Sequence, residues 1–335
     1  MKIIIPMAGM GKRMRPHTLN VPKPLIPVAG KPIVQHLVEN IAEVVSEGIE
    51  EIAFVIGDFD EEIKNQLKEI AGRINAKSSF FYQEEALGTA HAIQCAADAM
   101  DGKIVVAFAD TLFKADFKLN DNHDATIWVQ KVKNPSSFGV VKLGDSGQIT
   151  DFIEKPKTFV SDLAIIGIYY FKEGEKLRNA IQYLLDNKIT GNGEYQLTDA
   201  LENMNKQGVK FYPGEVIEWM DCGNKNATVH TNQRMLHYLK HEDLVSDKAE
   251  FVDSVIIPPC YIGKNVKIHK SVVGPYVSLG ENTQILNSNI ENSIIRDDAI
   301  IENTILTNSL IGNHTIIKNH ADDLNIGDYT KINNS

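Results

Sequence analysis

Apolar residues recur along this chain in two rhythms, one before about residue 250 and another after it. The first opens with a short apolar run over 2–6, read as a buried strand. Ile33, Leu37, Ile41 and Val44-Val45 then fall at helical spacing, and Gly48 is placed to stop that helix. Residues 52–56 are continuously apolar, the mark of a strand covered on both faces. Asp60 is a capping residue for a helix over 61–70. A strand over 79–82, an alanine-rich helix over 88–100 and a buried strand over 103–109, ending at Asp110, follow. This alternation predicts an α/β domain with a mostly parallel sheet and helices on both faces.

After Asp124 the pattern shifts to strands over 125–130, 138–143, 148–154 and 165–171, with a hairpin turn at Gly144-Asp145-Ser146-Gly147. Helices are expected over 176–186, 196–205 and 227–238, with short strands at 211–212 and 216–219. The polar stretch 241–250 reads as a linker. Beyond it Ile262, Ile268, Val273, Leu279, Ile285, Ile290, Ile295, Ile300, Ile305, Leu310 and Ile316 recur every five or six residues, with Asn, Ser and Thr between them. One inward aliphatic per short repeat describes a β-solenoid with a stacked core. The pattern resembles the left-handed parallel β-helix of hexapeptide-repeat proteins.

The segment joining the first strand to the first helix, residues 7–32, has no such rhythm and reads as a structureless loop. Gly9 and Gly11 let its backbone come close to a ligand, and Lys12, Arg13, Arg15 and Lys23 add positive charge. In an open α/β sheet, ligands bind where such a loop leaves the strand end. It is neither a Walker A loop, since Arg13 follows Gly11-Lys12, nor a G-x-G-x-x-G fingerprint, since position 14 is Met. The formal net charge of the 335 residues is −10, so these cations stand against an acidic background. That balance favours a small polyphosphate over a nucleic-acid polymer. The three cysteines, Cys95, Cys222 and Cys260, lie far apart and predict neither a zinc site nor disulfides. Without a signal-peptide pattern or an apolar run near the ~20 residues of a membrane span, the expected compartment is the cytoplasm.

Gly9, Gly11, Arg13, Pro16, Thr18, Pro22-Lys23-Pro24-Leu25, Pro27 and Lys31-Pro32 together resemble the signature of the sugar-1-phosphate nucleotidylyltransferases. The resemblance extends to Gln83 and the run Leu87-Gly88-Thr89-Ala90-His91-Ala92, to Asp110, Gly139 and Glu154-Lys155-Pro156, to Glu194, and to Trp219-Met220-Asp221-Cys222-Gly223-Asn224. It implies a Rossmann-like nucleotidyltransferase domain over 1–243, followed by the left-handed β-helix over 250–335. Ala8, Gly9, Gly11, Lys12, Gln83, Gly88 and Thr89 would bind the nucleotide. Gly139, Glu154, Lys155 and Glu194 would bind the sugar phosphate. Arg13, Lys23 and Lys155 would be catalytic, and Asp110 and Asp221 would hold Mg²⁺. Read alone, Asp110 is equally a turn or capping residue, Glu154-Lys155 a surface ion pair, and Glu194 a helix cap. Ala109, Asn224 and Lys12 depart from the family pattern, but none removes a metal ligand.

The implied reaction moves a nucleotidyl group from a nucleoside triphosphate to a sugar 1-phosphate and releases pyrophosphate. An amide such as Gln83 can both donate to and accept from the edge of uracil or thymine. dTTP with glucose 1-phosphate is the favoured pair. The alternatives are UTP with glucose or N-acetylglucosamine 1-phosphate, and mannose 1-phosphate guanylyl transfer. A further one is a bifunctional enzyme that also transfers acetyl groups on the solenoid, where His269, His314 and His320 lie. His36 and His91 fall within predicted helices and are expected to be packed or surface residues. The flat faces of a solenoid suit assembly, so a homo-oligomer formed through it is expected.

Overall fold

The computed structural model describes residues 1–9, 11–191 and 193–333, so Met10, Asn192 and the last two residues of the 250–335 segment lie outside it. The chain forms two compact units. One contains Met1–Gly9 and Leu37–Trp219, the other Met10–His36 and Met220–Ser335.

The first unit is built on a nine-stranded sheet. From one edge its order is Lys77–Tyr82, Glu51–Ile56, Lys2–Pro6, Ile104–Ala107, Leu163–Phe171, Ala125–Lys131, Phe211–Glu215, Ile149–Glu154 and Gly139–Leu143. The sheet is mixed, because Leu163–Phe171 and Ile149–Glu154 run against the other strands. Ile3, Ile4 and Ile5 are all fully buried, which explains why the first strand shows no polar alternation. On one face Ile4, Val55 and Val106 share a core with Ile93, Leu177, Ile181 and Leu201 of the covering helices. Asp60 caps the helix Glu61–Arg73 by accepting from the Ile63 amide at 2.9 Å.

Two expectations change here. The alanine-rich helix spans only Thr89–Gln94 and passes through Cys95 into a 3₁₀ turn, Ala97–Ala99. Ala96, Ala99 and Met100 are all buried, so tertiary packing overrides the helix preference of alanine. The strand ending near Asp110 stops at Ala107, and a further strand, Thr111–Lys114, which the sequence reading lacks, follows directly.

In the second unit the segment expected to be structureless is ordered. It contains 3₁₀ turns at Lys12–Met14 and Lys23–Leu25 and a two-residue antiparallel ladder joining Pro27–Val28 to Lys31–Pro32. Pro22, Pro24, Pro27 and Pro32 each fix a backbone dihedral, which lowers the entropy cost of ordering the segment. Leu25, Ile26, Val28 and Ala29 are buried and tie it down.

After the helix Lys225–Tyr238, this unit is a three-faced parallel β-helix of the left-handed class, with one sheet of six strands and two of five. Ile262, Ile268, Val273, Leu279, Ile285, Ile290 and Ile295 point inward as expected. From there the register differs by one residue. Ile301, Leu306, Ile311 and Ile317 are the fully buried members, while Ile305 is 56% exposed and Ile300 and Ile316 are half-buried. Within a strand neighbouring side chains face opposite ways, so only one of Ile300 and Ile301 can enter the core. Burying one isoleucine is worth about 1.5–3 kcal/mol. Spacing cannot choose between such adjacent aliphatics, and the pairing of Ile285 with Ile301 and of Ile290 with Leu306 does. Leu310 is buried as well, at the side of Ile311.

The intervening polar residues build the corners. Asn282, Asn292, Asn303, Asn308 and Asn319 sit at positive φ, a conformation asparagine tolerates well. Their amides stack between coils, Asn292 on Asn308 and Asn303 on Asn319. Coil pairing begins inside the stretch read as a linker, where Ser246 N–H donates to Ile262 O at 2.9 Å.

His17 is only 1% exposed, with Nε2 2.8 Å from Asn325 Oδ1. Burial pushes its pKa down to about 4, with Arg296 lowering it further and Asn325 and Asp328 opposing. An unfolded chain protonates this imidazole near 6.5. From pH 6.5 down to 4 the unfolded state therefore takes up a proton that the folded state refuses, and stability falls as pH falls. The full effect is on the order of 3 kcal/mol. His17→Gln should flatten the decline of the urea midpoint across that window relative to the parent protein. Parallel curves for the two proteins would contradict this.

Candidate active site

The expected site residues are divided between the two units. In the first, Ala8 and Gly9 continue the strand Lys2–Pro6, and Asp110 follows the neighbouring parallel strand Ile104–Ala107. All three therefore leave the sheet at the same edge. Asp110 stands in a tight turn, closed by Thr111 N–H donating to Phe108 O and by Thr111 Oγ1–H donating to Ile166 O at 2.8 Å.

Gln83 leaves the edge strand Lys77–Tyr82, with its amide Nε2 3.3 Å from His91 Nδ1. The expected packing role of His91 is thus more specific, since it restrains the amide that would read a base. Gly88 has φ +121°, and a Cβ there would lie 2.5 Å from Tyr195 O. Three hydrogen bonds bind this segment to a region over a hundred residues away. Tyr195 N–H donates to Leu87 O, Ala90 N–H donates to Tyr195 O, and Leu197 N–H donates to Thr89 Oγ1. They bring Glu194 beside Gly88, whose Cβ position is 3.1 Å from Glu194 Cβ.

The same wall continues to the expected sugar-phosphate group. Gly139 lies opposite Glu154 in the antiparallel pair Gly139–Leu143 and Ile149–Glu154. A Cβ on Gly139 would meet Glu154 Oε2 at 3.0 Å and Thr198 Cγ2 at 3.4 Å, which ties the hairpin to the helix Leu197–Lys206. Lys155 has φ +43°, and its amide donates to Phe138 O. Its ammonium is 3.4 Å from Glu154 and 61% exposed, so their ion pair contributes little to stability and leaves the charge accessible. Gln83, Gly88, Thr89, Glu194, Gly139, Glu154 and Lys155 thus line one continuous region.

In the second unit Gly11 is left-handed, with φ +54°, and heads the turn that carries Lys12 and Arg13. Thr18 Oγ1–H donates to Gly11 O at 2.9 Å, and a Cβ on Gly11 would be 3.0 Å from Lys23 Cβ. The turn is therefore folded back upon Lys23. Buried Met14 anchors it, while Lys12 and Arg13 remain exposed.

Asp221 ends the strand Glu218–Asp221, and its Oδ1 accepts from Gly223 N–H at 3.0 Å. A Cβ on Gly223 would lie 3.0 Å from the Asp221 carboxylate and 3.3 Å from Arg13 Nη2. Gly11, Arg13, Lys23 and Asp221 therefore converge. Asn224, a departure from the family pattern, caps the next helix by accepting from Ala227 N–H at 3.1 Å.

Asp110 and Asp221 supply carboxylate oxygens, the donor type Mg²⁺ takes from protein, with its remaining positions filled by phosphate and water. Among the described residues no three His, Cys, Asp or Glu side chains gather as a metal cluster. Thr18, His91, Tyr195 and Gly223 also shape these groups. Thr18, His91 and Gly223 stand in the quoted runs, but the contacts through which they and Tyr195 act are not shown by local spacing.

No helix among the described residues is long and apolar enough to cross a membrane. Residues 2–237 match the Nucleotidyl transferase family. The chain is 32% identical to the low-salt glycan biosynthesis nucleotidyltransferase Agl11 of Haloferax volcanii, over 88% of this chain and 87% of that protein. It is 30% identical to the glucose-1-phosphate thymidylyltransferase of Streptomyces griseus, over 99% of both. A UDP-glucose pyrophosphorylase solved with UDP-glucose aligns with a TM-score of 0.58 at 25% identity, covering 71% of this chain and 98% of the other. The match over 2–237 establishes that this chain belongs to the nucleotidyl transferase family and is a sugar-1-phosphate nucleotidyltransferase.

Proposed function

We propose that this enzyme transfers the thymidylyl group of dTTP to glucose 1-phosphate, releasing pyrophosphate with the assistance of Mg²⁺. The observation that carries the reading is the continuous region from Gln83 through Gly88 and Glu194 to Gly139 and Glu154. With Gln83 reading the base and Glu154 meeting the sugar, this region would take the nucleotide and the sugar 1-phosphate side by side. The likeness to the Streptomyces thymidylyltransferase, which extends through the solenoid, supports the choice of substrates.

A phosphate oxygen of the sugar 1-phosphate attacks the α-phosphorus in line, and the bond to the β-phosphate oxygen breaks. That oxygen is already anionic at neutral pH, so no general base is needed. The barrier is repulsion between two polyanions, and catalysis consists of positioning and charge neutralisation. Lys155 holds the attacking phosphate, while Arg13 and Lys23 neutralise the triphosphate and the departing pyrophosphate. Glu154 accepts sugar hydroxyls, and the glycine-rich turn offers backbone amides. Asp110 and Asp221 would hold Mg²⁺, which supplies further positive charge to the phosphates.

A second reading, UTP with the same sugar phosphate, is favoured by the likeness to the structure solved with UDP-glucose. The deciding experiment is pyrophosphate release from dTTP, UTP, GTP, CTP and ATP, each crossed with glucose, mannose, galactose and N-acetylglucosamine 1-phosphates, with and without Mg²⁺. Mg²⁺-dependent turnover led by dTTP and glucose 1-phosphate is expected. Dominance by GTP would overturn the role given to Gln83.

A further inference from the structure

We propose that Asn325, at the far end of the solenoid, is a positioning residue for nucleotide transfer, acting through His17 on the turn that carries Arg13. The inference rests on the role given to Arg13 above. Asn325 begins the two-residue strand Asn325–Ile326, in which Ile326 packs against the solenoid core and Asn325 faces outward. Its Oδ1 is 2.8 Å from His17 Nε2.

His17 Nδ1 is buried and has no hydrogen-bond partner. A neutral imidazole has one N–H and one lone pair. Donation from Nε2–H to Asn325 leaves the lone pair on Nδ1 as the orphan, which costs less than burying an orphan N–H. His17 is joined in turn to the Arg13 segment. Its amide donates to Met14 O, and the Met14 amide donates to Gly11 O at 2.8 Å.

Two neighbours of Asn325 at a spacing of two reinforce the contact. A Cβ on Gly327 would come within 2.8 Å of Pro16 Cβ, and Asp323 forms an ion pair with Lys225, four residues after Asp221. Asp323, Asn325 and Gly327 thus lie at alternate positions, and each touches a segment flanking the Arg13 and Asp221 group. Nothing in the solenoid's own core requires a hydrogen-bonding side chain at 325, which is an exposed position.

The test uses full-length protein and three variants, Asn325→Ala, Asn325→Asp and, as a control on another exposed solenoid asparagine, Asn289→Ala. Amide hydrogen exchange at residues 11–18 should quicken by about tenfold in Asn325→Ala, while residues 33–44 keep the parent rate. In the same variant kcat should fall and KM for the nucleotide rise, together lowering kcat/KM by about tenfold or more, with KM for the sugar phosphate unchanged. Asn325→Asp keeps an acceptor for His17 and should restore both readouts. Asn289→Ala should match the parent.

Unchanged exchange at 11–18 in Asn325→Ala overturns the proposal. So does faster exchange throughout the chain, or equal losses in Asn325→Ala and Asn325→Asp, since either would make the residue merely structural. If the parent protein turned over no substrate pair, the assigned reaction would fail, and the exchange contrast alone would still decide whether Asn325 restrains the turn.

Discussion

Replacing Arg13 with Met should lower kcat for pyrophosphate release by about a thousandfold while leaving KM for the sugar 1-phosphate nearly unchanged. The argument begins with where Arg13 sits. It is an exposed member of the turn Lys12–Met14, whose fold depends on left-handed Gly11 and buried Met14. Met keeps the aliphatic stem and loses only the guanidinium, so the turn should survive. What disappears is a planar, permanently charged donor set suited to phosphate oxygens. Charge builds on the departing pyrophosphate as the α-phosphorus is attacked, so the loss should appear in kcat. Arg13→Lys should recover only part of the rate, because an ammonium cannot make the bidentate contact. Initial rates at saturating sugar phosphate decide the matter, and a loss of less than about fivefold would remove Arg13 from the catalytic set.

Asp221→Asn should cost about a hundredfold or more in rate and should shift the Mg²⁺ dependence to higher concentration. The substitution is nearly isosteric. The Asp221 Oδ1 that accepts from Gly223 N–H can be replaced by the amide oxygen, and the Asp221 carbonyl still accepts from Thr231 Oγ1–H at 2.7 Å. Local structure is therefore kept and a negative charge is lost beside Arg13. Activity measured across a Mg²⁺ titration, together with direct Mn²⁺ binding by paramagnetic resonance, reads the effect. An unaltered titration curve would show that Asp221 is not a metal ligand.

Element types in this chain follow from local rules wherever one pattern dominates. The strands 2–6 and 52–56, buried over 3–6 and 52–56, and the capped helix after Asp60 are legible because burial and capping act on adjacent residues. The solenoid is legible for the same reason, since its period is short. The one-residue change at Ile300-Ile301 was not, because two aliphatics in a row satisfy the same spacing and only the coil below selects between them. The order within residues 11–32 was also hidden, because it comes from prolines and buried side chains meeting distant partners.

The candidate site divides in the same way. Arg13, Lys23, Asp110, Asp221 and Glu154-Lys155 were readable as motifs, since their chemistry is carried by residue type. The restraint of Gln83 by His91 and the binding of Leu87, Thr89 and Ala90 to the 195–197 segment were not. The first joins two side chains whose meeting is set by the fold, and the rest use backbone groups and the Thr89 hydroxyl to reach a region over a hundred residues away.

The Arg13 turn rests on the last coils of the β-helix, and this has a consequence for heating. In a solenoid each coil is stabilised by the coils on either side, and among the described residues the strand Asn325–Ile326 pairs with one coil alone, at Leu310–Ile311. Warming should loosen that end before the remainder melts. The turn touched by Asn325 and Gly327 would then lose its backing while the nine-stranded sheet is still intact. Catalytic rate would depart from its normal rise with temperature some degrees below the calorimetric transition, and would recover on cooling. The coil that carries Asn325 would in this way set the upper working temperature of the enzyme, independently of the stability of the sheet.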